Sequence, residues 1–88
     1  MKLIIAILAD TAAEPVSAAL TKAGLRVTHV ASTGGLLRRG QTTMLIGLEN
    51  EQVDQAVQLI HDACPPTEDA DQKQATIFVV NVQDFVRV

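Results

Sequence analysis

The order of hydrophobic patterns along this chain predicts an α+β fold, a ferredoxin-like βαββαβ sandwich with a four-stranded antiparallel sheet and two helices on one face. Three observations carry that prediction. Four short apolar runs read as strands, two segments between them have helical periodicity, and the strand–helix–strand order occurs twice in succession. With 88 residues the sequence predicts a single domain over residues 1–88.

Residues 3–9, Leu-Ile-Ile-Ala-Ile-Leu-Ala, are continuously apolar, the pattern of a strand covered on both faces. Asp10 or Thr11 is then expected to cap a helix, and Thr11-Ala12-Ala13-Glu14 has the spacing of a capping box. Pro15 lies close enough to the start of the helix to be tolerated. Val16, Ala19, Leu20 and Ala23 recur at helical spacing, and Gly24 suits a left-handed terminator. A second strand is expected over residues 25–31, with Leu25 and Val27 facing opposite to Arg26 and Thr28.

A loop rich in glycine and positive charge follows over residues 32–40. Residues 41–48 return as a strand, with Met44, Ile46 and Leu48 on one side. Glu49 and Asn50 open a second helix, whose stripe is Val53, Ala56, Val57, Ile60, Ala63 and Cys64. Pro65 and Pro66 end it, residues 67–73 form an acidic loop, and residues 75–82 form the last strand. In the tail beyond, Phe85 and Val88 are expected to pack.

Composition adds a conflict that the fold must resolve. The chain is 48% hydrophobic without Trp or Tyr, so its core is aliphatic. A small monomer buries only about two-thirds of its unfolded surface. The predicted architecture leaves one sheet face bare, yet the first and last strands are apolar on both faces. A closed oligomer with sheets facing inward is the simplest resolution.

Net charge is −3, but between Glu14 and Glu49 there is no acidic residue, only Lys22, Arg26, Arg38 and Arg39. A basic middle in an acidic chain predicts a confined anion site rather than a surface for a nucleic-acid polymer. The lone Cys64 predicts neither an internal disulfide nor a metal cluster. The first apolar run is too short to span a membrane and unlike a signal peptide, so a cytoplasmic location is expected.

The segment Ser32-Thr33-Gly34-Gly35-Leu36-Leu37-Arg38-Arg39-Gly40 is the most informative. Gly34 and Gly35 can turn successive N–H groups toward an anion, with Arg38, Arg39 and the Thr33 hydroxyl beside them. Leu36 and Leu37 could enclose a flat apolar group such as a nucleobase. The alternative is a hairpin loop with bending glycines, solubilising arginines and leucines tucked onto a neighbour. The segment lacks the Gly-Lys-Ser/Thr ending of a P-loop. Arg26 and Thr28, two apart on one strand face, could meet a phosphate together or stand as ordinary polar edge residues. His29 and His61 have no metal-binding pattern, and nothing combines a nucleophile, base and orienting acid, so no enzyme is predicted.

Arg26-Val27-Thr28, followed by Thr33-Gly34-Gly35-Leu36-Leu37-Arg38-Arg39-Gly40-Gln41-Thr42-Thr43, resembles the PII-like cyclic di-AMP receptor proteins of bacteria, in the nitrogen regulatory protein P-II superfamily. Their pattern runs roughly Arg-x-Thr, then Thr-Gly-Gly-Phe-Leu-Arg-x-Gly-Asn-Thr-Thr. The opening residues 1–7 and Gly47 also match, and the similarity resumes over residues 75–79. The resemblance implies a PII-like homotrimer with ligand sites between subunits and no cofactor. It implies that Arg26 and Thr28 contact the nucleotide, and that Gly35, Leu36 and Leu37 line the base and phosphate pocket. Thr33, Gly34 and Arg38 belong to the same loop motif, Gly47 lets a strand backbone come close, and Gln41 takes the place of an asparagine at the adenine edge.

Four departures stand out. Leu36 replaces an aromatic, Gln41 replaces asparagine, Arg87 stands where glutamine is usual, and residues 65–73 are short where the family carries a long loop. The resulting expectation is a non-catalytic nucleotide sensor for cyclic di-AMP, signalling to an unidentified downstream protein. The competing expectations are a PII-superfamily protein for ATP, ADP or another small anion, and a structural or adaptor trimer without ligand.

Overall fold

The computed structural model describes residues 1–30, 41–64 and 75–88. The elements run β1 (Lys2–Ala9), α1 (Asp10–Lys22), β2 (Val27–Val30), β3 (Gln41–Leu48), a 3-10 turn (Asn50–Gln52), α2 (Val53–Ala63) and β4 (Ala75–Asn81). The sheet order is β2-β3-β1-β4 with every neighbouring pair antiparallel. That is the ferredoxin-like arrangement expected from the doubled strand–helix–strand order.

Strand side chains alternate between two faces, and burial follows the alternation. Ile4, Ala6 and Leu8 on β1 and Met44, Ile46 and Leu48 on β3 point into the core. They meet Ala12, Val16 and Leu20 of α1 and Ala56 and Ile60 of α2 in one hydrophobic cluster. Fully burying a residue such as Ile4 or Leu20 stabilises the fold by roughly 1.5–3 kcal/mol.

Among the described residues no helix covers the opposite face. Its rows follow from the register: Val80–Leu3–Gly47 and Phe78–Ile5–Leu45 across β4, β1 and β3, with Thr28 continuing the second row on β2. Phe78 is 51% and Val80 40% exposed, while Leu3, Ile5, Ile7 and Leu45 are half-buried. The continuous apolar run of β1 is thus explained: it crosses the middle of a sheet that is greasy on both sides.

Helix ends depart from the sequence reading in one place and agree in another. The N-cap of α1 is Ala9, with no side-chain cap, so neither Asp10 nor Thr11 caps it. Asp10 is instead the first helical residue, and its carboxylate accepts a hydrogen bond from the Thr42 hydroxyl at 2.5 Å. There it ties α1 to β3 and sits favourably at the positive end of the helix dipole. A capping box does form at the second helix, where the Glu49 N–H donates to the Gln52 side chain at 2.9 Å. Pro15 lies inside α1 and the helix continues to Lys22.

At the other end of α1, Gly24 takes φ +86°. The Leu25 N–H then reaches the Leu20 carbonyl at 3.0 Å and the Gly24 N–H reaches that of Thr21 at 2.9 Å. These are the two bonds of a Schellman termination, closed by the contact-prone pair Leu20 and Leu25, both in the core. The same termination delays the second strand. Leu25 spends its N–H on the helix end, so β2 begins at Val27 rather than at residue 25.

The last strand ends at Asn81, one residue earlier than expected, and the Val82 N–H donates to the Met1 carbonyl at 3.1 Å. Beyond it the tail corrects a second expectation. Phe85 and Val88 are not packed into the core; Phe85 is 66% exposed and Val88 fully so. No helix among the described residues is long and apolar enough to cross a membrane.

Candidate functional site

The open sheet face carries a cavity of about 440 Å³ at the end where the chain begins. Its position is a consequence of register. Leu3 pairs with Gly47, and one row further in Ile5 pairs with Leu45, which pairs with Thr28 on its other side. One step outward from the Val27–Ile46 pair, Arg26 comes level with Gly47. Leu3, Thr28, Leu45, Gly47 and Arg26 accordingly line one hollow, and the tail supplies the remaining wall with Val82, Phe85 and Arg87.

Gly47 shapes this hollow by what it lacks. A Cβ there would meet no atom of the described residues within 4 Å. The packing of the described residues therefore does not demand glycine at this strand position, where a β-branched residue would pair more firmly. What the missing side chain leaves is open floor between Arg26 and Leu3.

The charge around the hollow is one-sided. Arg26, Arg87 and Lys2 line it, and among the described residues no carboxylate does. The Lys2 ammonium hydrogen-bonds Asn81 Oδ1, so its charge is held toward β4. The Arg87 guanidinium lies 5.8 Å from the centroid of the Phe85 ring. Leu3, Leu45, Val82 and Phe85 make the rest of the wall apolar. An anion with a flat apolar portion fits such a surface: guanidinium and hydroxyl donors for the charge, aliphatic and aromatic carbon for the plane.

Of the residues singled out in the sequence, Arg26, Thr28 and Gly47 come together here. Gln41 does not. It pairs with Ala9 at the far end of the β1–β3 ladder, and six residues of strand separate it from Gly47, about 20 Å at the usual rise per residue. Thr33, Gly34, Gly35, Leu36, Leu37 and Arg38 lie outside the described residues. The described residues that flank them, Val30 and Gln41, lie toward that same far end. The sequence reading left Leu3, Leu45, Phe85 and Arg87 out of the site. For Leu3 and Leu45 the available signal was the strand alternation, which puts them on the face of Thr28 once the register is known.

The first 70 residues match the family model described as cyclic-di-AMP receptor. The chain belongs to the cyclic-di-AMP receptor family. The matched stretch contains Arg26, Thr28, residues 33–38, Gln41 and Gly47, and it ends before β4 and the tail. A crystal structure of a functionally unknown protein from Pediococcus pentosaceus ATCC 25745 is similar to this chain with a TM-score of 0.80 and 33% identity. The likeness covers 99% of this chain and 96% of that one, so neither carries a large insertion relative to the other.

Two features outside the cavity are structural. His29 Nε2 lies 3.1 Å from Ser17 Oγ, joining β2 to α1. Cys64 sits at the end of α2 against the core, and burial raises its thiol pKa, so the sulfur stays protonated at neutral pH.

Proposed function

We propose that this protein is a non-catalytic sensor of cyclic di-AMP, working as a cytoplasmic homotrimer with one ligand site at each seam between subunits. The observation that carries the proposal is the convergence of Arg26, Thr28 and Gly47 on one cation-lined cavity in a chain of the cyclic-di-AMP receptor family.

The assembly is argued from the bare sheet face and from the division of the site. Leu3, Ile5, Ile7, Phe78 and Val80 form an apolar surface that a second and third copy would cover. Arg26, Thr28 and Gly47 stand at one end of the sheet while Gln41 and the flanks of residues 31–40 stand at the other. Packing of one subunit's near end against its neighbour's far end unites the two halves. Arg26 and Thr28 then hold phosphate, Gly47 admits it, and Gln41 with Thr33, Gly34, Gly35, Leu36, Leu37 and Arg38 of the neighbour encloses the rest. A downstream protein reads the ligand-bound state.

Thermal unfolding with cyclic di-AMP, ATP and cyclic di-GMP tests the proposal. A ligand at a hundred times its dissociation constant stabilises by about 2.7 kcal/mol, which raises the transition of a small domain by several degrees or more. Cyclic di-AMP is expected to give the largest rise. A transition unmoved by all three compounds fits an adaptor trimer instead, and a rise with ATP alone fits a site for mononucleotides.

A further inference from the structure

We infer that α1 positions both halves of the ligand site, Asp10 acting through Thr42 and Ser17 through His29. The inference rests on the proposed nucleotide function and deepens it by naming residues that set the geometry of the site without touching the ligand.

Among the described residues, side-chain hydrogen bonds join α1 to the sheet in two places. The Asp10 carboxylate accepts from the Thr42 hydroxyl at 2.5 Å, and Ser17 Oγ lies 3.1 Å from His29 Nε2. Asp10 and Ser17 are seven positions apart, close to two turns or about 10.5 Å of rise, so they project from one side of α1. That side borders the buried stripe of Ala12, Val16 and Leu20 and reaches β3 at one end and β2 at the other.

Each anchor stands next to a residue of the proposed site. His29 pairs with Met44 and Thr42 with Leu8, both fully buried, so His29 and Thr42 share the helix face of the sheet. Their chain neighbours Thr28 and Gln41 therefore point to the open face. Both anchors also sit where strands fray: β2 is an edge strand of four residues, and Ala9–Gln41 is the last rung of the β1–β3 ladder. The consequences for binding differ. Thr28 offers a hydroxyl to phosphate, which every cyclic dinucleotide carries. Gln41 carries an amide, donor and acceptor together, which suits the amino group and N7 of adenine. Ser17 with His29 thus governs affinity for the phosphates, and Asp10 with Thr42 governs the choice of base.

The test is calorimetric titration of cyclic di-AMP and of cyclic di-IMP, which shares its phosphates but lacks the 6-amino group. Each is titrated into the wild-type protein, Thr42→Val, Thr42→Ser, Ser17→Ala and Arg26→Ala. Valine favours strands and alanine favours helices, so Thr42→Val and Ser17→Ala fold as the parent does. Thr42→Val is expected to bind cyclic di-AMP about three- to tenfold more weakly, the scale of one hydrogen bond, with cyclic di-IMP little changed. Thr42→Ser keeps the hydroxyl and restores the wild-type preference. Ser17→Ala weakens both ligands by a similar factor, about threefold. Equal weakening of the two ligands by Thr42→Val, or wild-type affinities in either Thr42→Val or Ser17→Ala, overturns the inference, and lost binding in Arg26→Ala then leaves the receptor reading intact. Absence of binding by the wild-type protein overturns both.

Discussion

Thr28 stands directly opposite Leu45 in the β2–β3 ladder, and both line the same cavity on the sheet face opposite α1 and α2. That pairing fixes the site. It sets Arg26 level with Gly47 and places a hydroxyl, a guanidinium and a side-chain-free stretch of strand within one hollow. A slip of one residue between β2 and β3 would turn Arg26 and Thr28 toward the helices.

Gly47 separates the needs of folding from those of binding. Gly47→Val adds a Cβ with no atom of the described residues within 4 Å, and valine favours extended backbone. Its unfolding midpoint in denaturant is expected to equal or exceed that of the parent, whereas affinity for cyclic di-AMP falls at least tenfold. A destabilised variant would show that glycine is required by the fold.

The end of α1 offers a test of local structure. Gly24→Ala forces a Cβ into φ +86° and is expected to cost about 1–2 kcal/mol. Leu20→Ala removes a fully buried side chain beside the same turn and should cost about 2–5 kcal/mol. Urea unfolding of the two single variants measures both.

The bare sheet face predicts an association that one charge can break. Phe78→Asp leaves the carboxylate in water in an isolated subunit, because the position is 51% exposed there. Between subunits the same carboxylate would be buried without a partner, at a cost of several kcal/mol. Sedimentation is expected to show a trimer for the parent and a folded monomer for the variant.

Cys64 should behave as a core-facing thiol. Burial raises its pKa, so thiolate is scarce at neutral pH and alkylation is slower than for an unstructured cysteine peptide. The sign for stability follows. The contribution is intact below the ordinary thiol value of 9.0 and declines as pH rises through the higher folded value. Unfolding midpoints on either side of that range, in the parent and in Cys64→Ala, check it.

Much of this was legible in the sequence for identifiable reasons. Met44, Ile46 and Leu48 fall on one side of a strand because alternation is local and strong, and the doubled strand–helix–strand order leaves few topologies. The α1 cap was misread because Thr11 and Glu14 have capping-box spacing, while Asp10 is engaged by Thr42 from a strand far along the chain. Spacing contains no trace of that contact. Phe85 was expected to pack because apolar residues usually do, and the ring is instead committed to Arg87 at the cavity wall. Gln41 shares a motif with the glycine segment yet stands a strand's length from Gly47, a separation that appears only when the register is known. Local patterns revealed the elements and singled out Arg26, Thr28 and Gly47 of the cavity lining; the meeting of distant residues needed the fold.

A crystal structure of the protein grown with cyclic di-AMP tests the central claim most directly. The account predicts ligand in the hollow of Arg26, Thr28 and Gly47, with Gln41 and the 33–38 segment of an adjoining subunit closing over it. Ligand bound away from Arg26, or a site completed within a single subunit, would contradict it.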